Sequence, residues 1–271
     1  YFPLYGIQIS FRDYKIRRGM TGSEWVGLEY FVQFIESPNF VQLMRNTLLL
    51  SFYNLLFGFP VPIVLAIMIN EIHQVRLKKT VQMITYMPHF ISLVAIVGLI
   101  NLMLNRESGI INLLIQMVGG EPKNFLGLSS AYRTIYVVSD IWPEAGWGTI
   151  IYLSALSAVD AESLEAARID GAGIFKILWK VDLPMITPAL ATLVIFNFNG
   201  VWSEFYWALI VIKDEALKTL PLGLINFQSQ FTSDYGVLTA GLVILTVPVV
   251  AVYLFFSRYF IAGISAGAVK G

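Results

Sequence analysis

Long apolar runs separated by short polar islands set the plan of this chain. Five runs stand near residues 46–70, 81–104, 134–156, 187–212 and 235–256. Each is close to the ~20 apolar residues that a helix needs to cross a bilayer core. The pattern predicts an all-α, polytopic helical membrane protein with about five full spans. The run 46–70 carries no charge but holds Pro60 and Pro62. Membrane helices tolerate proline where neighbouring groups re-satisfy the freed backbone. A kink is therefore predicted near Gly58-Phe59-Pro60. Residues 81–104 are expected to form one span, and the final run contains Pro248.

Polar residues inside the runs are the first candidate chemistry. Pro88-His89 is either a functional intramembrane pair or a neutral structural histidine. Asp140 and Glu144 flank Trp142-Pro143 in the third run. Carboxylates at membrane depth are costly and mark function; the other reading places both near the outer mouth, in reach of water. Asn197, Asn199 and Gly200 interrupt the fourth run, followed by Glu204. The two asparagines either bond across helices or line a polar path. Trp202, Tyr206 and Trp207 are expected as interfacial anchors.

The islands are less specific. Residues 11–45 are mixed and polar, with Arg12, Lys15, Arg17 and Arg18 clustered and with Trp25, Tyr30, Phe31 and Phe34 suited to a membrane interface. Residues 71–79 read as a short charged turn, and 106–131 as a polar loop turned at Gly119-Gly120 and Pro122. In the loop 213–234, Phe227, Gln228, Gln230 and Phe231 are candidates to touch a sugar or a docking protein. The opening Tyr1-Phe-Pro-Leu-Tyr-Gly-Ile, without an initiator Met, reads as the remnant of a first helix or as an interfacial segment.

Composition sharpens the class. The 271 residues are 56% hydrophobic and 13% charged, against roughly 25% charged in soluble domains. Net charge is zero, which gives no pull toward nucleic acid. Without cysteine there is no thiolate or disulfide chemistry. The two histidines, His73 and His89, have no metal-ligand spacing around them, and no phosphate-cradling Walker A pattern occurs.

The stretch 157–186 is a polar island of a different kind. Asp160 suits a helix N-cap, and Glu162 suits the positive end of that helix. Ala166 and Ala167 carry no bulk, so another surface can approach closely. Gly171 suits a helix C-terminus where φ is positive. Ile174, Ile177, Leu178 and Val181 have i, i+3, i+4, i+7 spacing, which predicts a second helix with one apolar face. Pro184 cannot continue that helix without losing a hydrogen bond. Two short helices joined by a sharp turn are predicted.

Glu165-Ala166-Ala167, three residues, Gly171, nine residues, then Val181-Asp182-Leu183-Pro184 resembles the EAA loop of bacterial ABC-importer permeases. Nearly the whole chain is similar to type I ABC-importer permeases of the carbohydrate group. Tyr1–Gly6, Ser10–Tyr14, Tyr86–Ser92 and Gly146–Leu153 resemble permeases for oligo- or polysaccharide fragments. Gly200–Phe205, Thr219–Leu224 and the tail Ala266–Gly271 look like the other permease subunit of maltose-type importers.

The resemblance implies a single transmembrane permease domain over 1–271, with 157–186 as its cytoplasmic coupling loop. That orientation leaves the basic cluster after Arg12 outside, against the positive-inside rule. Glu165, Ala166, Ala167, Asp170, Gly171, Leu183 and Pro184 are the implied coupling residues. The tail residues Val269, Lys270 and Gly271 are implied to reach toward the ATPase. Trp142, Asn197, Asn199 and Tyr206 are candidates for the substrate path. The implied partners are a second permease subunit, two ABC ATPase subunits that bind ATP and Mg, an extracytoplasmic solute-binding protein, and lipids of the bacterial cytoplasmic membrane. No cofactor is expected in this chain itself. A permease for glycerol phosphate or amino acids is the nearest alternative. An intramembrane enzyme using Asp140, Glu144 and His89 is a more distant one.

Overall fold

The computed structural model describes residues 5–128, 130–157, 165–167, 169–212, 214–227 and 234–268. The described chain is helical almost throughout, with a single pair of two-residue strands. It divides into two compact units, Tyr1–Ser51 with Asn199–Val252, and Phe52–Phe198 with Tyr253–Gly271.

The first unit begins with a short antiparallel ribbon, β1 (Arg12–Asp13) against β2 (Glu24–Trp25). Gly19 turns the connecting loop at φ 63°. The buried Ser23 hydroxyl donates to Gly19 O at 2.6 Å and accepts from Lys15 N–H at 3.1 Å, so it closes that loop. The Arg12 guanidinium lies over the Trp25 ring, 5.4 Å from its centroid. This basic residue is thereby packed onto an aromatic face, where a cation is attracted to the ring's negative face.

Helix α1 (Glu29–Ile35) buries Phe34 completely. Of the aromatics expected at an interface, Phe34 is instead core, where it meets the rings of Phe40 and Phe227. Helix α2 (Phe40–Tyr53) follows, and its first half is tied to a distant loop of the same unit. Asn46 Nδ2 donates to Ala216 O and Lys218 O, and Thr47 Oγ1 accepts from Leu220 N–H at 2.7 Å.

The second unit begins with a widened, π-type turn over Asn54–Gly58, followed by α3 (Pro60–Asn70). The helix is thus interrupted by a π-turn where a kink was expected, and Phe40–Asn70 still runs as one span. Phe59 N–H donates to Asn54 O, five residues back, immediately before the proline that lacks its own N–H. Helix α4 (Val75–Tyr86) begins inside the stretch expected to be a charged turn. The stretch expected as one span over 81–104 is sharply bent. A 3-10 turn at Met87–Phe90 ends α4, and α5 (Leu93–Leu104) leaves at 96° to the preceding segment. Pro88 disfavours continuing the helix, and the Ser92 hydroxyl caps the new one by accepting from Ala95 N–H.

The expected loop 106–131 is corrected too, because it holds α6 (Ile110–Met117). Buried Asn112 staples the loop around α6, donating to Asn105 O and Lys123 O and accepting from Lys123 N–H. Helix α7 (Tyr132–Ser157) runs for 26 residues with Pro143 inside. It packs on α3 and α4 through two glycines. A Cβ on Gly146 would overlap Thr85 O, and one on Gly148 would meet Pro62 at 3.0 Å. The core of this unit gathers Ala66, Ile69, Tyr152, Leu153, Leu156, Ile186 and Leu193.

By length and apolarity, two helical segments among the described residues can cross a membrane unbroken: Phe40–Asn70 and Tyr235–Ser257. Two bent pairs, Val75–Phe90 with Leu93–Leu104 and Leu178–Met185 with Leu190–Val211, raise the number to four if each is one span. Helix α7 is long enough to cross, but Asp140 and Glu144 make it less apolar.

Candidate functional site: a coupling hairpin and an intramembrane polar chain

The hairpin is built around Gly171. Residues 165–167 are helical, and Asp170 N–H donates to Ala166 O at 2.9 Å. Gly171 then takes φ 71°, and Ala172 N–H reaches back five residues to Ala167 O at 3.0 Å. A residue in the left-handed region followed by this long return bond is the Schellman way of ending a helix. It satisfies a carbonyl that the helix end would otherwise leave unpaired. The reading of Gly171 from its residue type thus meets the geometry found. Asp160 and Glu162, expected at the start of this helix, lie outside the described residues.

The second arm departs from expectation. Helix α8 covers Ile174–Ile177, and the next five residues, Leu178–Asp182, form a π-turn before α9 (Leu183–Met185). The i, i+3, i+4, i+7 face is therefore interrupted after one turn. Leu183 N–H donates to Leu178 O, again five residues back and again just before a proline, Pro184. Leu183 packs against the core of the second unit. Glu165, Ala166, Asp170, Gly171 and Pro184 are exposed, and Ala167 is half-buried. Ile169 leaves 80% and Trp179 leaves 67% of their surface exposed. Neither was singled out from the sequence. Two large apolar side chains in a segment otherwise rich in charge were the available signal.

The intramembrane candidates separate into the two units. In the second unit, Asn54 Nδ2 donates to Asp140 Oδ2 at 2.6 Å, and Asn197 Nδ2 donates to Asn54 Oδ1 at 3.1 Å. Asn54 is fully buried at the start of the π-turn, Asp140 stands in the first half of α7, and Asn197 is on α10 (Thr187–Trp202). Sequence reading missed Asn54, whose only local signal is its place four residues before Gly58. A Cβ on Gly58 would come within 2.9 Å of the Asn54 side-chain oxygen.

Four residues beyond Asp140, Glu144 Oε1 lies 3.1 Å from His89 Nδ1. His89 and Glu144 therefore meet each other, while the hydrogen bond from Asn54 goes to Asp140. Trp142 is half-exposed and lines an open groove of about 460 Å³ with Leu65, Ile84, Pro88 and Ile141.

In the first unit, Asn199 is exposed and accepts from the Ser203 hydroxyl at 3.4 Å. Tyr206 opens α11 (Tyr206–Val211) and leaves 70% of its surface free. Glu204 caps α11 by accepting from the backbone N–H groups of Trp207 and Ala208. Two expected interfacial anchors are corrected. Trp202 is fully buried, its indole N–H donating to Leu245 O at 2.8 Å, and Trp207 is buried as well. Their rings fill the interior of this unit, where a large apolar side chain gains most from burial.

Val269, Lys270, Gly271, Gln228, Gln230 and Phe231 lie outside the described residues. No group of three His, Cys, Asp or Glu side chains suited to a metal ion occurs among the described residues.

Residues 44–265 match a family model described as binding-protein-dependent transport system inner membrane component. The polygalacturonan/rhamnogalacturonan transport system permease protein YteP of Bacillus subtilis (strain 168) is 46% identical over 199 residues, which is 73% of this chain and 62% of that protein. Protein LplB of the same organism is 42% identical over 200 residues, covering 74% of this chain and 63% of LplB. The matches thus span less than two thirds of these relatives' lengths. A crystal structure of a bacterial ABC transporter involved in the import of the acidic polysaccharide alginate contains a chain of the same fold. Its TM-score is 0.83 at 31% identity, covering 95% of this chain and 88% of that one.

Proposed function

Since the chain belongs to the family of binding-protein-dependent transport system inner membrane components, we propose that it is the membrane-spanning permease subunit of an ATP-driven importer of oligosaccharides. The observation that carries this reading is the exposed hairpin closed at Gly171. It holds a short helix, with the small Ala166 and Ala167 beside Glu165, at the surface between membrane-spanning segments. Partner ATPase subunits bind ATP and Mg and move this hairpin. The hairpin is joined to the helix bundle through Leu183, which packs on the bundle core. A ligand shifts a two-state element only by binding one state better. ATP does so here through the ATPase, and the bundle alternates between outward and inward openings. Glu165 supplies a polar contact to the ATPase, and Ile169 adds an apolar one.

A solute-binding protein delivers the saccharide to the outer mouth. Saccharides are favoured over glycerol phosphate or amino acids because the named relatives carry polygalacturonan, rhamnogalacturonan and alginate in their descriptions. Asn197 and Trp142 are the path candidates of the second unit, and Asn199 and Tyr206 those of the first. The test is co-purification of the chain with its ATPase subunits, for wild type beside Glu165→Lys and Gly171→Pro. Proline cannot take the φ of 71° found at Gly171. Loss of the complex with membrane insertion intact is expected. Unchanged association of both variants would remove the hairpin from the coupling role.

A further inference from the structure

The three side chains Asp140, Asn54 and Asn197 form a chain of hydrogen bonds with a direction. A carboxylate has no donor, so Asn54 must turn its NH2 group toward Asp140. Its carbonyl oxygen, Oδ1, then faces the other way and can only accept. That obliges Asn197 to turn its own NH2 toward Asn54, at 3.1 Å. The Asn197 oxygen is left at the end of the chain. It is buried and has no hydrogen-bond partner among the described residues.

A buried acceptor without a donor is destabilising, so such a group signals a partner that arrives from elsewhere. The two ends of the chain are thus chemically different, and the difference originates at Asp140. The chain is also held at fixed length. Asn54 is fully buried, and Gly58 one turn on leaves room for its side chain and nothing larger.

We infer that Asp140 and Asn54 are positioning residues that hold the Asn197 amide with its buried oxygen unpaired, so that it accepts from a solute hydroxyl when the transport path opens beside it. The inference rests on the importer reading and deepens it. The ligand chemistry is a neutral O–H donor, as on a saccharide ring. Asp140 itself touches no solute; it acts through Asn54.

The test uses the reconstituted importer with its ATPase subunits and binding protein in proteoliposomes. The probes are oligogalacturonides, arabino-oligosaccharides and malto-oligosaccharides, and KM is measured with whichever probe the wild type takes up fastest. Asp140→Asn keeps a hydrogen bond to Asn54 but can donate as well as accept, so the direction of the chain is lost. Its expected effect is a KM raised by about tenfold at unchanged melting temperature. Asn197→Leu should raise KM at least as far. In the Asn197→Leu background, Asp140→Asn should then add nothing, because residues acting through one another are not additive. Asp140→Glu keeps an acceptor-only group and should stay nearer the wild type.

An unchanged KM in Asp140→Asn beside a raised KM in Asn197→Leu would overturn the inference and leave the importer reading standing. A full Asp140→Asn effect in the Asn197→Leu background would also overturn it. Failure of the wild type to import any of the probes, or an Asn197→Leu variant with wild-type KM, would overturn the reading on which it rests.

Discussion

His89 lies flat on Trp147, with ring centroids 4.4 Å apart and planes within 1° of parallel. The arrangement follows from two local features. Glu144 and Trp147 are three apart on α7 and share a face. Pro88 ends α4 in a 3-10 turn that delivers His89 to both of them. Phe90 closes the group edge-on against Trp147 at 5.7 Å. Trp147→Ala removes both ring contacts and is expected to cost about 1–2 kcal/mol, read as a lower melting temperature of the purified protein. Glu144→Gln keeps a hydrogen-bonding oxygen at this half-exposed site and should cost about 0.5 kcal/mol or less. Equal melting temperatures for wild type and Trp147→Ala would show that the stack contributes nothing to stability.

Close approach of helices makes a sharp prediction about two glycines. A Cβ at Gly146 would overlap the Thr85 carbonyl oxygen, a backbone atom that cannot swing aside. Gly146→Ala should therefore separate α4 from α7 and destabilise the protein by about 3 kcal/mol or more. Gly200, on α10, has nothing within 4 Å of the same added atom. Gly200→Ala should be neutral or stabilising by up to ~1 kcal/mol through helix propensity. Thermal unfolding of the two variants in one detergent compares them directly.

The tie between α2 and its distant loop rests on Asn46. Its amide serves the carbonyls of Ala216 and Lys218. Asn46→Leu leaves those acceptors without that donor, at an expected cost of about 1–3 kcal/mol. Loosening should be local, so limited proteolysis is expected to cut near residues 214–219 faster in the variant. A cleavage pattern identical to wild type would mean that the loop is held by other contacts.

Tyr30 gives a pH-dependent prediction outside the membrane-spanning segments. Burial, then the neighbouring Asp13 carboxylate, pushes its phenol from 10.0 up to about 12. Its hydroxyl also donates to Asp13 Oδ1 at 3.3 Å. The Asp13 carboxyl is held below its ordinary value, first by its hydrogen bond from Lys15. The folded phenol is the weaker acid, so the neutral ring stabilises the fold. That contribution is complete below pH 10 and is lost as pH rises toward 12. The difference in phenolate absorbance between wild type and Tyr30→Phe should therefore rise near pH 12. A rise near pH 10 would show that the ring is not held as described.

Much of the plan was legible because it depends on residue types acting locally. Five apolar runs of bilayer length predict a helical membrane protein from hydration alone. Gly171 could be read as a helix end because few other residues tolerate its φ of 71°. Pro60 and Pro184 could be read as interruptions because proline has no N–H to donate. The form of the interruption could not be read. At both sites the preceding residue donates five positions back, at Phe59 to Asn54 and at Leu183 to Leu178. Widening a turn and ending a helix look alike in a residue string.

Tertiary structure decided what depends on partners far along the chain. Trp202 and Phe34 have the composition of interfacial anchors, yet both are fully buried, because packing rather than amphipathic character chose their place. Asn54 is an amide in the interior of the apolar run that Asn46 opens and Asn70 closes, and nothing near it in sequence explains it. Its partners Asp140 and Asn197 lie 86 and 143 positions away. The sequence by itself determined which segments must leave water and where the backbone must turn, since hydration and φ are properties of single residues. Only the folded chain could decide which buried polar groups satisfy one another, since a hydrogen bond is a property of two.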